Sequence, residues 1–310
     1  MSVFVQQQHS ICDFAGSDSW VILSEIEQSI KRKIEAVGTP LKDWDIQINY
    51  GIKTGYNDAF IISTKKRDEI LANCATDEER HRTAELIRPI LRGRDIKRYG
   101  YEWANLWLIA TFPSRNHAID EYPSVRDYLL TFGIEKLEQT GRTHIVNGET
   151  IKARKKTNNK WFETQDSISY WDDFNQPKIM WKIIGNRLAF AYDEKGVILN
   201  NACYLMTGEC LPFLLAYLNS KAILWYSYIT NMNPTGVGDS QVGAQNMVKF
   251  PIPRNMAFQK KLSSLIKQQR TNDMTIDTLD FLIDCEIATF LKLSKEEIDF
   301  LTKFSDSVFK

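Results

Sequence analysis

The chain has 310 residues, 43% hydrophobic and 25% charged, the balance of a globular protein with a sizeable core rather than of a disordered or collagenous chain. Its 39 basic and 39 acidic side chains cancel, so bulk charge announces no nucleic-acid partner. No apolar run approaches the roughly 20 residues that cross a bilayer, the first residues lack the basic-then-apolar pattern of a secretory leader, and Cys12, Cys74, Cys203, Cys210 and Cys285 are scattered without a CxxC pair, which points to buried thiols in a reducing cytoplasm.

In chain order, Trp20, Leu23, Ile30, Ile34 and Val37 recur at helical spacing, with Asp18 or Ser19 as cap and Gly38 and Pro40 as stop. Trp44, Ile46, Ile48 and Tyr50 alternate as in a half-buried strand; Gly51 and Gly55 bracket a tight turn, and residues 59–63 read as the returning strand. Thr76 and Glu79 form a capping box whose helix is expected to end near Pro89 or Leu91. A buried strand is predicted over 106–112 and a helix over 123–139, followed by a polar, basic stretch at 140–160. Residues 178–184, 187–193 and 198–206 read as strands, 211–230 as helical, and 250–253 as a last short strand. Beyond it the pattern is helical only, with Ser294 and Glu297 as a further capping box. The expected architecture is a mixed α/β (α+β) fold: a helical lead over 1–43, a mixed-sheet body over 44–254 and a helical tail over 255–310.

The search for chemistry returns mainly absences. The segment YGIKTGYN has neither Rossmann nor P-loop spacing, and there is no HExxH, no GxSxG and no paired Cys/His ligand set. No catalytic residue and no metal site is expected. Asp193, Glu194 and Lys195 superficially resemble the acidic-basic cluster of a magnesium-dependent nuclease, but Gly196 behind them favours a hairpin turn.

What stands out is the distribution of charge. Residues 1–48 hold 4 basic and 7 acidic side chains, 49–187 hold 23 and 19, and 188–310 hold 12 and 13, so only the middle is basic. Two clusters make it so: Arg88, Arg92, Arg94, Lys97 and Arg98, with Asp95 among them; and Lys152, Arg154, Lys155, Lys156 and Lys160, with no acid between 150 and 162 and Trp161-Phe162 at the end. Such cations neutralise phosphates, and neighbouring aromatics stack on sugars or bases; a solvated loop is the bland alternative.

The segments INYGIKTGYNDAFII (48–62) and LIRPILRGRDIKRYG (86–100), in that order, resemble the TaqI-like C-terminal specificity domain of adenine-specific DNA methyltransferases and type IIG restriction–modification enzymes. The resemblance continues through YPSVRDYL (122–129), residues 178–206, LLAYLNSKAILWY (214–226), FPIP and DFLIDCEIATFLKLSKEEIDFL (280–301). It implies a target-recognition module for double-stranded DNA in a prokaryotic cytoplasm, with no membrane partner. In the family, an upstream Rossmann-like half binds S-adenosylmethionine and methylates adenine through an Asn-Pro-Pro-Tyr or Asp-Pro-Pro-Tyr signature that holds the flipped base. This sequence contains neither signature, and Asn233-Pro234-Thr235-Gly236 reads as a turn. The expected partners are therefore duplex DNA and an adenine methyltransferase domain, upstream or separate. No cofactor is expected in this chain.

Under that resemblance, polar side chains at glycine-bearing turns are the expected DNA contacts. They are Lys53, Tyr56 and Asn57 at the first turn; Arg92, Arg94, Lys97 and Arg98 around Gly93; Lys152, Arg154, Lys155, Lys156 and Lys160 in the basic stretch; Lys182, Asn186 and Arg187 around Gly185; and Asn233, Thr235 and Gln241 in the loop 232–243. Met206, Phe213, Leu214, Leu218 and Leu224 are expected in the core. Two other readings stay open: a nuclease built on Asp193, Glu194 and Lys195, and an interaction protein whose tail helices hold a partner.

Overall fold

The core is built on two scales, because the chain folds into two compact units. A computed structural model describes residues 23–185, 188–230, 233–234, 240–271 and 274–308. One unit gathers the described parts of Met1–Gln47, Ile183–Phe190 and Gly208–Lys310; the other is Ile48–Lys182 with Ala191–Thr207. Strands pair both parallel and antiparallel, and helices are segregated along the chain, so the fold is α+β as the sequence predicts.

The first unit is mainly helical. Helix Glu25–Val37 starts at a capping box between Ser24 and Glu27, and it buries Ile30 and Ile34. The expected caps Asp18 and Ser19, with Trp20, lie outside the described residues. Strand Gly38–Pro40 then pairs antiparallel with Pro251–Pro253, the predicted last strand. Helices Leu211–Leu218 and Lys221–Thr230 bury nearly every apolar side chain, including Phe213, Leu214, Leu218 and Leu224. Helices Met256–Thr271, Ile276–Leu291 and Lys295–Val308 form the tail. Phe258 and Phe290 stack with centroids 4.0 Å apart, and Trp225 meets Phe300 edge-on. The predicted capping box is present: Glu297 N donates to Ser294 Oγ and Ser294 N to Glu297 Oε2. Among the described residues no helix is long and apolar enough to cross a membrane.

Two four-stranded sheets are formed mainly by residues of the second unit. One runs in the order Phe190–Asp193, Lys178–Lys182, Cys203–Gly208, Ile46–Tyr50; the other runs Ile198–Leu199, Ile87–Leu91, Leu106–Ile109, Ile61–Ser63. Phe60, Phe112 and Phe174 are fully buried in the core of that unit, each worth about 1.5–3 kcal/mol relative to exposure.

Several local expectations change here. The helix from Thr76 ends at Leu86, and Ile87–Leu91 is a strand, antiparallel to Leu106–Ile109 and parallel to Ile198–Leu199. Proline is the reason: Pro89 pushes Arg88 out of the helical region, and Ile87, Ile90 and Leu91 are buried by the strand instead. The Gly51–Gly55 segment is not a hairpin turn, because Ile46–Tyr50 and Ile61–Ser63 lie in different sheets and a helical turn, Asn57–Phe60, redirects the chain between them. Asp193-Glu194-Lys195-Gly196 likewise joins the two sheets rather than closing a hairpin. The helix predicted over 123–139 divides into Pro123–Leu130 and Ile134–Leu137 at Gly133, whose φ is +82°. The basic stretch contains an antiparallel hairpin, Thr143–Val146 with Glu149–Lys152. Of the thiols, Cys74 and Cys203 are buried, Cys210 is half-buried and Cys285 is exposed, so burial does not hold for all of them.

Candidate nucleic-acid interface

Within the second unit, four segments that are far apart in sequence meet at the level of the backbone. Gly51 N donates to Cys203 O, Ile52 N to Leu199 O, and Asn201 N to Ile52 O. Gly51 must be glycine, because a Cβ there would lie 2.0 Å from Asn200 O. Asn200 N donates to Leu91 O, which brings up the Gly93–Asp95 turn. That turn rests on Ala202 and on Lys182, whose Cβ would be 3.3 Å from a Cβ at Gly93. On the other flank, Gln165 N and Asp166 N donate to Lys53 O, and Lys53 N donates to Asp166 Oδ2. The exposed side chains of this convergence are Lys53, Asn57, Arg94, Asn201 and Lys155, with Lys182 half-exposed.

The expected contacts differ in how free they are. Asn57 Oδ1 accepts from Thr54 Oγ1 at 2.7 Å, which fixes its side-chain amide at the end of the turn. Tyr56 stands edge-on to Phe132 and lies under Lys136, so its ring is part of a local aromatic cluster. Arg92 is held by Asp95 through Nε and Nη2 at 3.1 and 2.8 Å. Burial pushes the Asp95 carboxyl up, but the hydrogen bonds from Arg92 outweigh it and keep it below the ordinary carboxylate range. Lys97 lies 3.5 Å from Glu102, both largely exposed, and Arg98 covers the Tyr99 ring. Arg94 is exposed.

The second basic cluster separates into one buried and four exposed cations. Lys152, Lys155, Lys156 and Lys160 are exposed, with Lys160 over the Phe162 ring. Arg154 is 4% exposed. Its guanidinium donates to the carbonyls of Leu137, Thr54, Glu163 and Trp161. The expectation that Arg154 meets phosphate is therefore corrected: the side chain faces inward, and its donors are occupied by protein carbonyls. Burial pushes its pKa down to about 10, opposed by the charge of Glu163.

The remaining expected residues belong to the first unit. Strand Ile184–Gly185 pairs with Ser240–Gln241, which pairs with Asn233–Pro234, so these three short strands form one small ribbon. Asn233 and Gln241 are described in their backbone alone. Asn186, Arg187 and Thr235 lie outside the described residues.

Asp193 does not offer a metal-binding face. It is 2% exposed and accepts from Lys178 Nζ, Tyr101 hydroxyl and the amides of Lys195, Gly196 and Val197. Burial raises its carboxyl, but the Lys178 charge together with the hydrogen bonds from Lys178, the Lys195 amide and Tyr101 holds it below the ordinary carboxylate range, while burial lowers the Lys178 ammonium. Asp193 is thus an internal junction between the two sheets, apart from the exposed Glu194 and Lys195, so the three side chains do not share one face as a nuclease site would need. Among the described residues no three His, Cys, Asp or Glu side chains converge as metal ligands.

Sequence reasoning missed Asn200 and Asn201. The run ILNNACYLM reads as one strand, yet it breaks into Ile198–Leu199 and Cys203–Gly208 around a turn in which Asn200 Oδ1 accepts from Ala202 N. The signal was present in the paired asparagines, which favour turns over strands.

Residues 88–252, more than half of the chain, match the TaqI-like C-terminal specificity domain. Over 298 residues the chain is 25% identical to the type II methyltransferase M.BstVI of Geobacillus stearothermophilus, covering 93% of this chain and 47% of that protein. It thus spans about half the length of that relative. Among solved structures, the type IIL restriction-modification enzyme MmeI in complex with DNA superposes with a TM-score of 0.55 at 12% identity, over 87% of this chain and 36% of MmeI. The type IIG restriction endonuclease BpuSI superposes at 0.51 and 13%, over 89% and 32%. These two share the fold. The chain belongs to the family of TaqI-like C-terminal specificity domains.

Proposed function

We propose that the chain is the double-stranded DNA reader of an adenine-specific restriction–modification methyltransferase, and that the recognition face lies on the second unit. The observation that carries this reading is the backbone convergence of the 51–57, 93–95, 165–166 and 200–202 segments, with Lys53, Asn57, Arg94 and Asn201 exposed around it. A DNA reader needs such rigidly seated amides and guanidiniums for base edges, flanked by cations for phosphates. The exposed lysines at 152, 155, 156 and 160 supply those cations. Asn186, Arg187, Asn233, Thr235 and Gln241 are proposed as contacts from the first unit, and residues 44–254 as the recognition segment.

Methyl transfer is assigned to a separate or upstream half, with S-adenosylmethionine bound there, in the cytoplasm of a prokaryotic cell. The glycine-bearing segment 51–55 does not fit the cofactor: a Cβ at Gly51 or Gly55 would meet Asn200 O at 2.0 Å or Gln165 Oε1 at 3.1 Å, so these glycines pack against protein.

The test is equilibrium binding of the chain to duplex DNA across salt concentrations. With about four phosphates neutralised, log affinity should fall against log salt with a slope near −3.6. With S-adenosylmethionine and DNA the chain alone should transfer no methyl group, and with magnesium it should cleave nothing. Absence of binding at low salt would sink the reading.

A further inference from the structure

We infer that Arg154 is a positioning residue: without touching DNA, its buried guanidinium sets the Gly51–Asn57 turn, and through it the base preference of the module. The inference rests on the DNA-reading function proposed above. It assigns to one member of the basic cluster a role that differs in kind from that of its lysine neighbours.

The geometry is that of a tie between chain segments. Arg154 Nη1 donates to Thr54 O at 3.0 Å and to Glu163 O at 2.8 Å, Nε to Leu137 O at 2.8 Å, and Nη2 to Trp161 O at 2.5 Å. Its guanidinium also lies 5.0 Å from the Phe60 ring centroid, just beyond the turn. The Glu163 carboxylate is engaged elsewhere, accepting from Lys160 N, so the cation is satisfied by carbonyl dipoles rather than by an ion pair. From Thr54 the constraint passes onward. Thr54, 1% exposed, donates its hydroxyl to Asn57 Oδ1 and accepts from Tyr56 N. Gly55, at φ +79°, closes the same contact: a Cβ there would approach Arg154 Cδ to 3.2 Å and Gln165 Oε1 to 3.1 Å.

Only a planar fork reaches carbonyls in several fixed directions. A lysine keeps the charge but concentrates its donors at one point, so it would leave some of the four carbonyls unpaired. Loosening Thr54 would let Asn57 and Lys53 sample orientations that no longer match one base, while the surface charge that meets phosphate stays the same.

The test separates discrimination from charge. A preferred duplex is first selected from a randomised pool with the unaltered chain. Affinities for the preferred and a scrambled duplex are then compared for R154K, G55A and K152A/K155A/K156A, together with salt slopes and amide exchange. R154K is expected to lose about tenfold or more in discrimination, the span of one bidentate base contact. It should keep the salt slope and exchange faster at 51–57, while Ile276–Leu291 is unchanged. The triple lysine variant is expected to do the reverse, with a flatter slope and intact preference. If R154K fails to fold, G55A, which strains the same contact from the other side, carries the prediction. Intact discrimination in R154K, or a flattened slope like that of the lysine variant, overturns the inference. If the unaltered chain binds no DNA, the functional reading fails by itself. The exchange measurement then still decides, since unchanged protection at 51–57 in R154K would show that Arg154 does not hold the turn.

Discussion

Residues 88–98 and 152–160 each carry five Arg and Lys side chains, and the fold treats the two runs in opposite ways. In the first, acids answer the cations: Asp95 chelates Arg92, and Glu102 lies beside Lys97. In the second, no acid occurs between 150 and 162, so one arginine turns inward to carbonyls and the lysines remain in solvent. The lesson is that a run of positive charge acquires its role from what can neutralise it locally. Where a carboxylate stands three residues away, the pair builds a turn. Where none does, the charge is either satisfied by backbone or left available to an external anion.

The largest effect that could break this contrast is on DNA affinity. Reversing Lys152, Lys155 and Lys156 to glutamate should lower affinity on the order of a few hundredfold near 0.1 M salt and flatten the salt slope by about 2.7, at 0.9 per phosphate contact. The preferred sequence should not change. An unaltered slope, measured by anisotropy at several salt concentrations, would make the second run a solvated loop and erase the difference.

Asp95→Ala should act on folding instead. The carboxylate is 5% exposed and accepts from Arg92 N, Nε and Nη2. Its loss leaves those donors unanswered, and about 1–3 kcal/mol of stability is expected to go in urea denaturation. A change within error would mean that the turn does not depend on its internal pair.

The same pair predicts a pH dependence. Asp95, Glu79 and Glu297 all sit below their ordinary values despite burial, held there by Arg92, by Ser124 and Ala75, and by Lys33, Ser29 and Ser294 respectively. A carboxylate depressed in the folded state contributes stability above its unfolded pKa and loses it as pH falls through the folded one. The chain should therefore be acid-labile below the usual carboxylate values of about 4, and Asp95→Ala should remove part of that slope. Stability flat from pH 6 to pH 3 would contradict the assignment.

Much of the fold was legible because burial and local propensity agreed. Helices 211–230, the strand at Pro251–Pro253 and the Ser294–Glu297 cap follow directly from pattern. Short apolar runs such as Ile87–Leu91 fit a helix or a strand equally by pattern; Pro89 bars the helix locally, and strand partners near and far, Leu106–Ile109 and Ile198–Leu199, complete the outcome. Of the candidate interface, the cations and glycines were visible, but the direction of Arg154 was not. A guanidinium among lysines carries no local sign that Leu137, Thr54, Trp161 and Glu163 will present their carbonyls to it. The turn at Asn201 was signalled by the paired asparagines, but not that Leu91 and Ile52 would bind its two sides and bring it to the interface.

The smallest prediction sharpens the comparison most. Lys97 and Glu102 are 3.5 Å apart, with side chains 49% and 80% exposed, a pair that contributes at most a few tenths of a kcal/mol to stability. Glu102→Gln should therefore leave the unfolding midpoint unchanged. Its effect should fall on DNA, because the acid partly neutralises Lys97 at the edge of the first basic run. Removing it converts that edge toward the acid-free condition of residues 152–160. Affinity at low salt should rise about two- to fivefold for preferred and scrambled duplexes alike, and the gain should shrink as salt screens it. Lys97→Ala in the same background should cancel the gain. If Glu102→Gln leaves affinity unchanged while the lysine reversals abolish it, Lys97 stands outside the DNA footprint, and only the second run supplies phosphate contacts. If the gain appears for the preferred sequence alone, Lys97 reads a base edge rather than a phosphate, and the division between turn-building and phosphate-binding cations would have to be redrawn at that residue.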